Sequence, residues 1–379
     1  MKKTIIWVVI IIVVIGLGWL ILGNRSVTPN GSPIKIGWIS DLTGPNSKYG
    51  SIEAARIAVE EINNGGGING RAINLIEENG LCDTKTTLGA VSKLINIDKV
   101  GYILGGHCST ETIAAAPVAE KNKVILLASI SSSPVISDAG DYIFRTSSIS
   151  TQQSGLVAQY AISHGIKKIG VVYENKEYPK PIAEELKKSF EQKGGIVPAY
   201  EGYATEEKDF RSILLKVKAS GVDAIFVSPQ SPDKAALLLK QIKDLKMGVV
   251  VFGNEQVGST AVMDIAGKDV VEGVIYGEPA FDTEDQLTKA FITAYSKKNN
   301  TDGIPYGIWT AESYDAVKIL TQAIGIVGDD IEKVKGYLYT IKNYKGASGY
   351  ITINKKGDGV RNYSLKTIQD GKPVVLSAN

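Results

Sequence analysis

The sequence predicts an α/β protein of two doubly wound lobes, each a parallel sheet covered by helices on both faces. Three observations lead there. Short runs rich in Val and Ile alternate with stretches whose apolar residues recur every three or four positions, the pattern of strands joined by crossover helices. The alternation runs twice, once from Ile34 and again from about Thr151. The chain has 379 residues, enough for two such units.

The first series opens with a strand over Ile34 to Ile39. A helix over Ser51 to Asn63 follows, with Ala55, Ala58, Val59 and Ile62 on one face and Gly65-Gly66-Gly67 as its stop. Ile73 to Glu78 is the next strand. Thr84 to Ile97 is the next helix, aligned through Leu88, Val91 and Ile95, and Val100 to Leu104 and Val124 to Ala128 are further strands. In the second series, strands are expected over Lys168 to Val172, Ile196 to Tyr200, Ala224 to Val227 and Val249 to Phe252. Helices are expected over Pro181 to Gln192, Phe210 to Lys218 and Lys234 to Lys243, then over Leu287 to Lys297 and Thr310 to Ile324. Tyr350 to Ile353 and Tyr363 to Gln369 read as a late pair of antiparallel strands. No repeat of 20–50 residues is visible in the sequence itself.

Lys2-Lys3 precede Ile5 to Leu22, a run of 18 residues without a charge. That length just spans a bilayer, and the lysines would stay on the cytoplasmic side. Residues 1–22 therefore read as an uncleaved membrane anchor or, alternatively, as a cleaved signal segment; no small-x-small cleavage site stands out. Residues 23–33 are small, polar and contain two prolines, as a linker would. Lys+Arg number 42 against 40 Asp+Glu, and no basic stripe with interleaved aromatics occurs, which argues against a nucleic-acid partner.

Gly105-Gly106-His107-Cys108-Ser109-Thr110-Glu111-Thr112 lies between an expected strand and an expected helix. The glycine pair allows a sharp turn. Ser109, Thr110 and Thr112 then put hydroxyls beside the free N–H groups of a helix start, where a small anion is stabilised. Cys82 and Cys108 are the only cysteines. Outside the cytoplasm they can form a disulfide closing 25 intervening residues; the alternative is two unrelated buried thiols. An enzyme finds little support. His107 and Cys108 are adjacent, so their side chains point apart, and two histidines with two cysteines make no metal cluster. No Walker or dinucleotide fingerprint is present. No metal or cofactor is expected.

Ile36-Gly37-Trp38-Ile39-Ser40-Asp41-Leu42-Thr43-Gly44-Pro45, followed by Glu60-Glu61-Ile62-Asn63-Asn64-Gly65-Gly66-Gly67-Ile68-Asn69-Gly70, resembles the opening of the branched-chain amino-acid binding proteins of ATP-driven importers. Phe144-Arg145-Thr146, Asp209-Phe210, Ala266-Gly267 and Val271-Glu272-Gly273 fit the same leucine/isoleucine/valine-binding family, over about residues 34–379. The resemblance implies a type I periplasmic-binding fold that closes on its ligand, with crossings between lobes near Ser147–Ser150, Tyr276–Pro279 and Gly346–Gly349. Lobe one would then hold 34–148 and 278–346, and lobe two 149–277 and 347–379.

The resemblance further implies a Cys82–Cys108 disulfide and a set of ligand contacts. Ser109 would bind the ligand carboxylate, the Ile130 backbone would accept from its ammonium, and Ser132, replacing a threonine, would touch both. Glu255 would pair with the α-ammonium. Tyr49, Tyr178 and Tyr306 would wall the side chain. Two departures stand out: Gln230 replaces an aromatic residue, making the pocket more polar, and Pro179-Lys180-Pro181 replaces a glycine-containing turn. The implied activity is capture of a branched-chain or similar small amino acid for a permease of an ABC importer. The alternative is a membrane-tethered sensor for an amino acid or small amide. Only four residues precede the apolar run, which favours transport over signalling.

Overall fold

The computed structural model describes residue 29 and residues 31–376. The anchor or signal expected over 1–22, and most of the linker over 23–33, lie outside them. No helix among the described residues is long and apolar enough to cross a membrane.

The first sheet contains β1 (Gly31–Ser40), β2 (Arg71–Asn79), β3 (Tyr102–Gly105), β4 (Ile125–Ala128) and β5 (Ile143–Arg145). Their order is β2-β1-β3-β4-β5, and every pairing is parallel. Three helices alternate with the strands: α1 (Ser51–Asn64), α2 (Thr84–Asn96) and α3 (Ser109–Lys121). Side chains alternate across the sheet with the period of two that a strand imposes. Ile36, Trp38 and Leu104 pack against α1 on one face, while Ile39, Ile103 and Leu126 pack against α2 and α3 on the other. Both faces are therefore dry, which is why these strands are continuous apolar runs.

The second sheet starts with β6 (Lys168–Glu174), β7 (Ile196–Tyr203), β8 (Ala224–Ser228), β9 (Val250–Gly253) and β10 (Ile275–Pro279). Its helices are α4 (Gln152–Ser163), α5 (Pro179–Gln192), α6 (Arg211–Ala219), α7 (Pro232–Asp244), α8 (Thr260–Ala266) and α9 (Lys268–Val271). The order β7-β6-β8-β9-β10 reproduces that of the first sheet. The two halves thus share a topology although the sequence carries no visible repeat. Val172, Ile225 and Val227 face one core, and Ile169, Val171 and Phe226 the other.

The chain returns to the first lobe with α10 (Gln286–Asn299), α11 (Gly307–Val327) and α12 (Ile331–Thr340), then a small antiparallel sheet of β11 (Tyr344–Gly346), β12 (Gly349–Ile353) and β13 (Gly359–Val360). It ends with β14 (Tyr363–Gln369) and β15 (Lys372–Val375), both antiparallel on the edge of the second sheet beyond β10.

This ending corrects the expected late pair. β12 and β14 do not pair with each other but belong to different sheets. Ile351 and Ile353 of β12 are fully buried in the first lobe's core beside Ile36 and Trp38. Residues 347–360 therefore pack with lobe one, and the final crossing lies at Arg361–Asn362 instead of Gly346–Gly349. The alternation that marks an antiparallel strand does not say which sheet receives it. Elsewhere the structure adds elements that the sequence reading did not expect, among them β5, α4, β10 and α12, and expected elements differ at their ends, such as α5 starting at Pro179, where a proline's missing N–H is no loss.

Arg145, at the end of β5, is wholly buried and ion-paired with Asp358 at 2.7 Å. Its Nη1 also donates to the Ser133 carbonyl at 2.7 Å. Breaking such a pair from one side leaves a buried charge alone, which costs about 3–5 kcal/mol. Arg145→Met should lower the unfolding free energy by that amount in urea titration; a loss below about 1 kcal/mol would show that Asp358 finds another partner.

Candidate functional site

Three strand ends of the first lobe face three of the second. After β1, the Asp41 carboxylate accepts from the N–H groups of Gly44 at 2.6 Å and Asn46 at 3.0 Å. This turn launches the short helix Pro45–Tyr49, which presents Tyr49. Gly50 then adopts φ +67°, and a side chain there would strike Tyr295; the residue has to be glycine.

After β3, Cys108 caps α3 and Ser109 is its first residue, as the sequence predicts. The Glu111 carboxylate accepts from the Cys108 N–H at 2.9 Å and the Cys82 N–H at 3.0 Å. Cys82 and Cys108 are joined as a disulfide with their Cα atoms 5.4 Å apart. Cys82, Cys108 and Glu111 are the one grouping of potential metal ligands among the described residues, but its sulfurs are bonded to each other. Thr112 turns inward: its hydroxyl donates to Ser131 Oγ at 2.6 Å, so it braces two loops instead of facing a ligand.

After β4, the loop Ser129–Ser133 is held by its carbonyls. Ser147 Oγ donates to the Ser131 carbonyl at 2.8 Å, and Ser150 Oγ to the Ser132 carbonyl at 3.0 Å. The Ser133 N–H donates to Ser109 Oγ at 3.1 Å, linking this loop to the start of α3.

In the second lobe, Tyr178 caps α5. After β8, the Gln230 N–H donates to the Glu174 carboxylate at 3.1 Å. After β9, Glu255 is clamped by Gln153 of α4, whose Nε2 donates to Glu255 Oε2 and whose Oε1 accepts from the Glu255 N–H at 3.1 Å. Burial pushes the Glu255 carboxyl up to about 7. Burial also takes His107 down to about 3, so its ring is neutral.

These strand ends line one cavity between the lobes. All eight residues expected from sequence line it: Tyr49, Ser109, Ile130 and Ser132 from the first lobe's strand ends, Tyr178, Gln230 and Glu255 from the second's, and Tyr306 at the start of α11. The lobes touch across it. Tyr49 Oη donates to Gln256 Oε1 at 2.5 Å, Lys176 Nζ to the Cys82 carbonyl at 3.2 Å, and Lys48 pairs with Asp233 at 2.7 Å.

Most of the chain has relatives among known proteins. A model of the family described as periplasmic binding protein matches residues 33–372. The chain belongs to the periplasmic binding protein family. One relative, the leucine-, isoleucine-, valine-, threonine- and alanine-binding protein of Pseudomonas aeruginosa, is 31% identical over 343 residues, covering 89% of this chain and 90% of the relative. Among solved structures, the leucine binding protein LivK from Thermotoga maritima matches with a TM-score of 0.83 at 24% identity, covering 91% of this chain and 98% of that one. A solute binding protein of an ABC transporter from R. palustris, in complex with benzoate, matches with a TM-score of 0.81 at 20% identity, over 91% and 95% of the two chains. These likenesses establish the α/β type I architecture of the family.

In this member of the family the cavity wall also contains residues that sequence reasoning passed over: His107, Ser131, Gln256 and Trp309. His107 stacks on Tyr49, with ring centroids 4.6 Å apart, and Tyr49 stacks on Tyr306 at 4.1 Å. Trp309 lies one helical turn beyond Tyr306, a spacing that could have revealed it.

Removing the disulfide by Cys82→Ala with Cys108→Ala should lower stability by about 3 kcal/mol, the loop-closure value for 25 intervening residues. Denaturant unfolding measures this. A loss under about 1 kcal/mol would mean that the Glu111 clamp restrains the loop without the bond.

Proposed function

We propose that this chain is an extracytoplasmic solute-binding protein of an ABC importer, which takes a small amino acid between its lobes and delivers it to a membrane permease. One observation carries the reading. A helix start bearing Ser109, beside Ser132, forms one wall of the cavity, and the buried Glu255 forms another. Such hydroxyls and N–H groups suit a carboxylate, and a lone buried carboxylate suits an ammonium. Opposite demands on two walls of one cavity fit a zwitterion.

The relatives support this. The Pseudomonas aeruginosa protein is named for binding five amino acids. The R. palustris protein holds benzoate, a carboxylate without an ammonium; Glu255 in this chain argues for a ligand that has one. Ser109, Ile130 and Ser132 take the ligand from lobe one. Glu255 and Tyr178 add contacts from lobe two, so a ligand reaching both walls favours the closed arrangement. The motion is a hinge at the three crossings. Residues 1–22 export the chain and, if retained, tether it near the permease, raising its effective concentration there. Gln230 and Tyr306 shape the side-chain end of the site.

Calorimetric titration of the protein, freed of bound ligand, tests the reading. An amino acid should bind with micromolar affinity, about −8 kcal/mol, and its decarboxylated amine should not. Binding of the amine as tightly as the amino acid would remove the carboxylate assignment. Glu255→Ala takes away one partner of a desolvated pair, at about 2–5 kcal/mol, and should weaken binding well over tenfold. Equal affinity in that variant would sink the ammonium assignment.

Affinity should also fall in acid. An ammonium needs the ionised Glu255, whose carboxyl sits at about 7. Below that pH a proton must leave first, costing up to tenfold per unit, so binding at pH 5 should be about a hundredfold weaker than at pH 8. Glu255→Gln should flatten the profile. For the closed fold alone the sign is opposite. A carboxyl raised from 4.5 to about 7 adds stability that is fully present below 4.5 and lost as pH rises through 7.

A further inference from the structure

Five buried polar atoms on the cavity wall have no hydrogen-bond partner among the described residues: Gln230 Oε1, Trp309 Nε1, His107 Nε2, Tyr178 Oη and Tyr306 Oη. Each belongs to a residue more than nine-tenths buried, at 6%, 3%, 4%, 5% and 4% exposure. Buried polar groups in native proteins are nearly always paired, and the first three of these are not needed by the carboxylate or ammonium contacts assigned above. Trp309 Nε1 can only donate. Gln230 Oε1 can only accept. His107 is neutral, and with Nδ1 3.0 Å from Ser51 Oγ its Nε2 donates or accepts according to tautomer.

We infer that the preferred ligand is an amino acid whose side chain ends in a neutral group that both donates and accepts, a carboxamide or a hydroxyl, and not the aliphatic side chain of the same size. This rests on the zwitterion reading above and narrows it. An aliphatic side chain would seal Gln230 Oε1 and Trp309 Nε1 away from water without replacing either hydrogen bond, which is a penalty against that ligand. A carboxamide offers an N–H to the first and a C=O to the second. A hydroxyl offers the same two functions from one atom. Charged side chains fit less well. A second carboxylate would meet Glu255, while a second ammonium would compete with the first for it. A site built to hydrogen-bond a side-chain group discriminates strongly against an isostere that lacks it.

The experiment is competitive calorimetry on the full chain with two pairs of near-equal size, asparagine against leucine and threonine against valine. The polar member should bind at least tenfold tighter in one pair or both. A ratio below tenfold in both pairs overturns the inference and leaves the zwitterion reading standing. Failure of all four, and of every other amino acid, overturns both. The variants Gln230→Leu and Trp309→Phe keep most of the bulk and remove the unpaired atom. Each should cut the polar-to-aliphatic ratio at least fivefold. An unchanged ratio in both variants removes the assignment to these residues.

Discussion

The arrangement hangs on one buried cation. The Arg145 guanidinium lies at the carboxyl end of β5, out of reach of solvent, with Asp358 as its counter-charge. The same group takes the Ser133 carbonyl, and Ser137 Oγ accepts from its Nη2. One side chain therefore ties together the end of the first sheet, the loop carrying Ile130 and Ser132, and the stretch just before the last crossing. Burial makes each of these bonds count, because a guanidinium with unfilled donors would be intolerable there. The serines at 147 and 150 complete the hold on that loop by filling its carbonyls from the opposite side. The loop's geometry is thus set from several sides, by Arg145, Ser147 and Ser150 on its carbonyls and by Ser109 Oγ on the Ser133 N–H.

The cavity itself is electrostatically spare. Burial renders His107 neutral and holds Glu255 near the point of half-ionisation. The remaining wall is made of hydroxyls, amides and aromatic rings. Selection in such a site rests on directional hydrogen bonds and shape more than on net charge. The stacked rings of His107, Tyr49 and Tyr306 give a stiff wall at little entropic cost, and the Tyr49 hydroxyl reaches across to Gln256, so the wall also serves as a lobe-to-lobe contact.

Most of the sheets could be read from the chain because both faces of each are covered, which turns strands such as Val100 to Leu104 into unbroken apolar runs. The crossover rule then supplied their parallel order. The last crossing could not be read. Tyr350 to Ile353 and Tyr363 to Gln369 have the same local character, and only the burial of Ile351 and Ile353 beside Trp38 shows that they serve different lobes. The site followed a similar division. Ser109 is marked by its place at a helix start, whereas Glu255, Ile130 and Ser132 came from the resemblance. Trp309 is marked only by its spacing from Tyr306, in the first turn of α11; Gln256 carries no such mark and reaches the cavity through a short helical turn after β9. The resemblance of the chain to known binders supplied the tyrosines, which alone would have read as packing.

Two of the three connections between lobes are neighbours in one ladder. β10 and β14 pair as far as Pro279 opposite Tyr363, and the Ala280 N–H continues the pattern to the Asn362 carbonyl at 2.8 Å. The third connection is fastened to the same place by Ser148 Oγ and Tyr363 Oη at 3.2 Å. A paired ribbon bends readily across its plane and resists shear within it. The ladder thereby fixes the register in which one lobe meets the other.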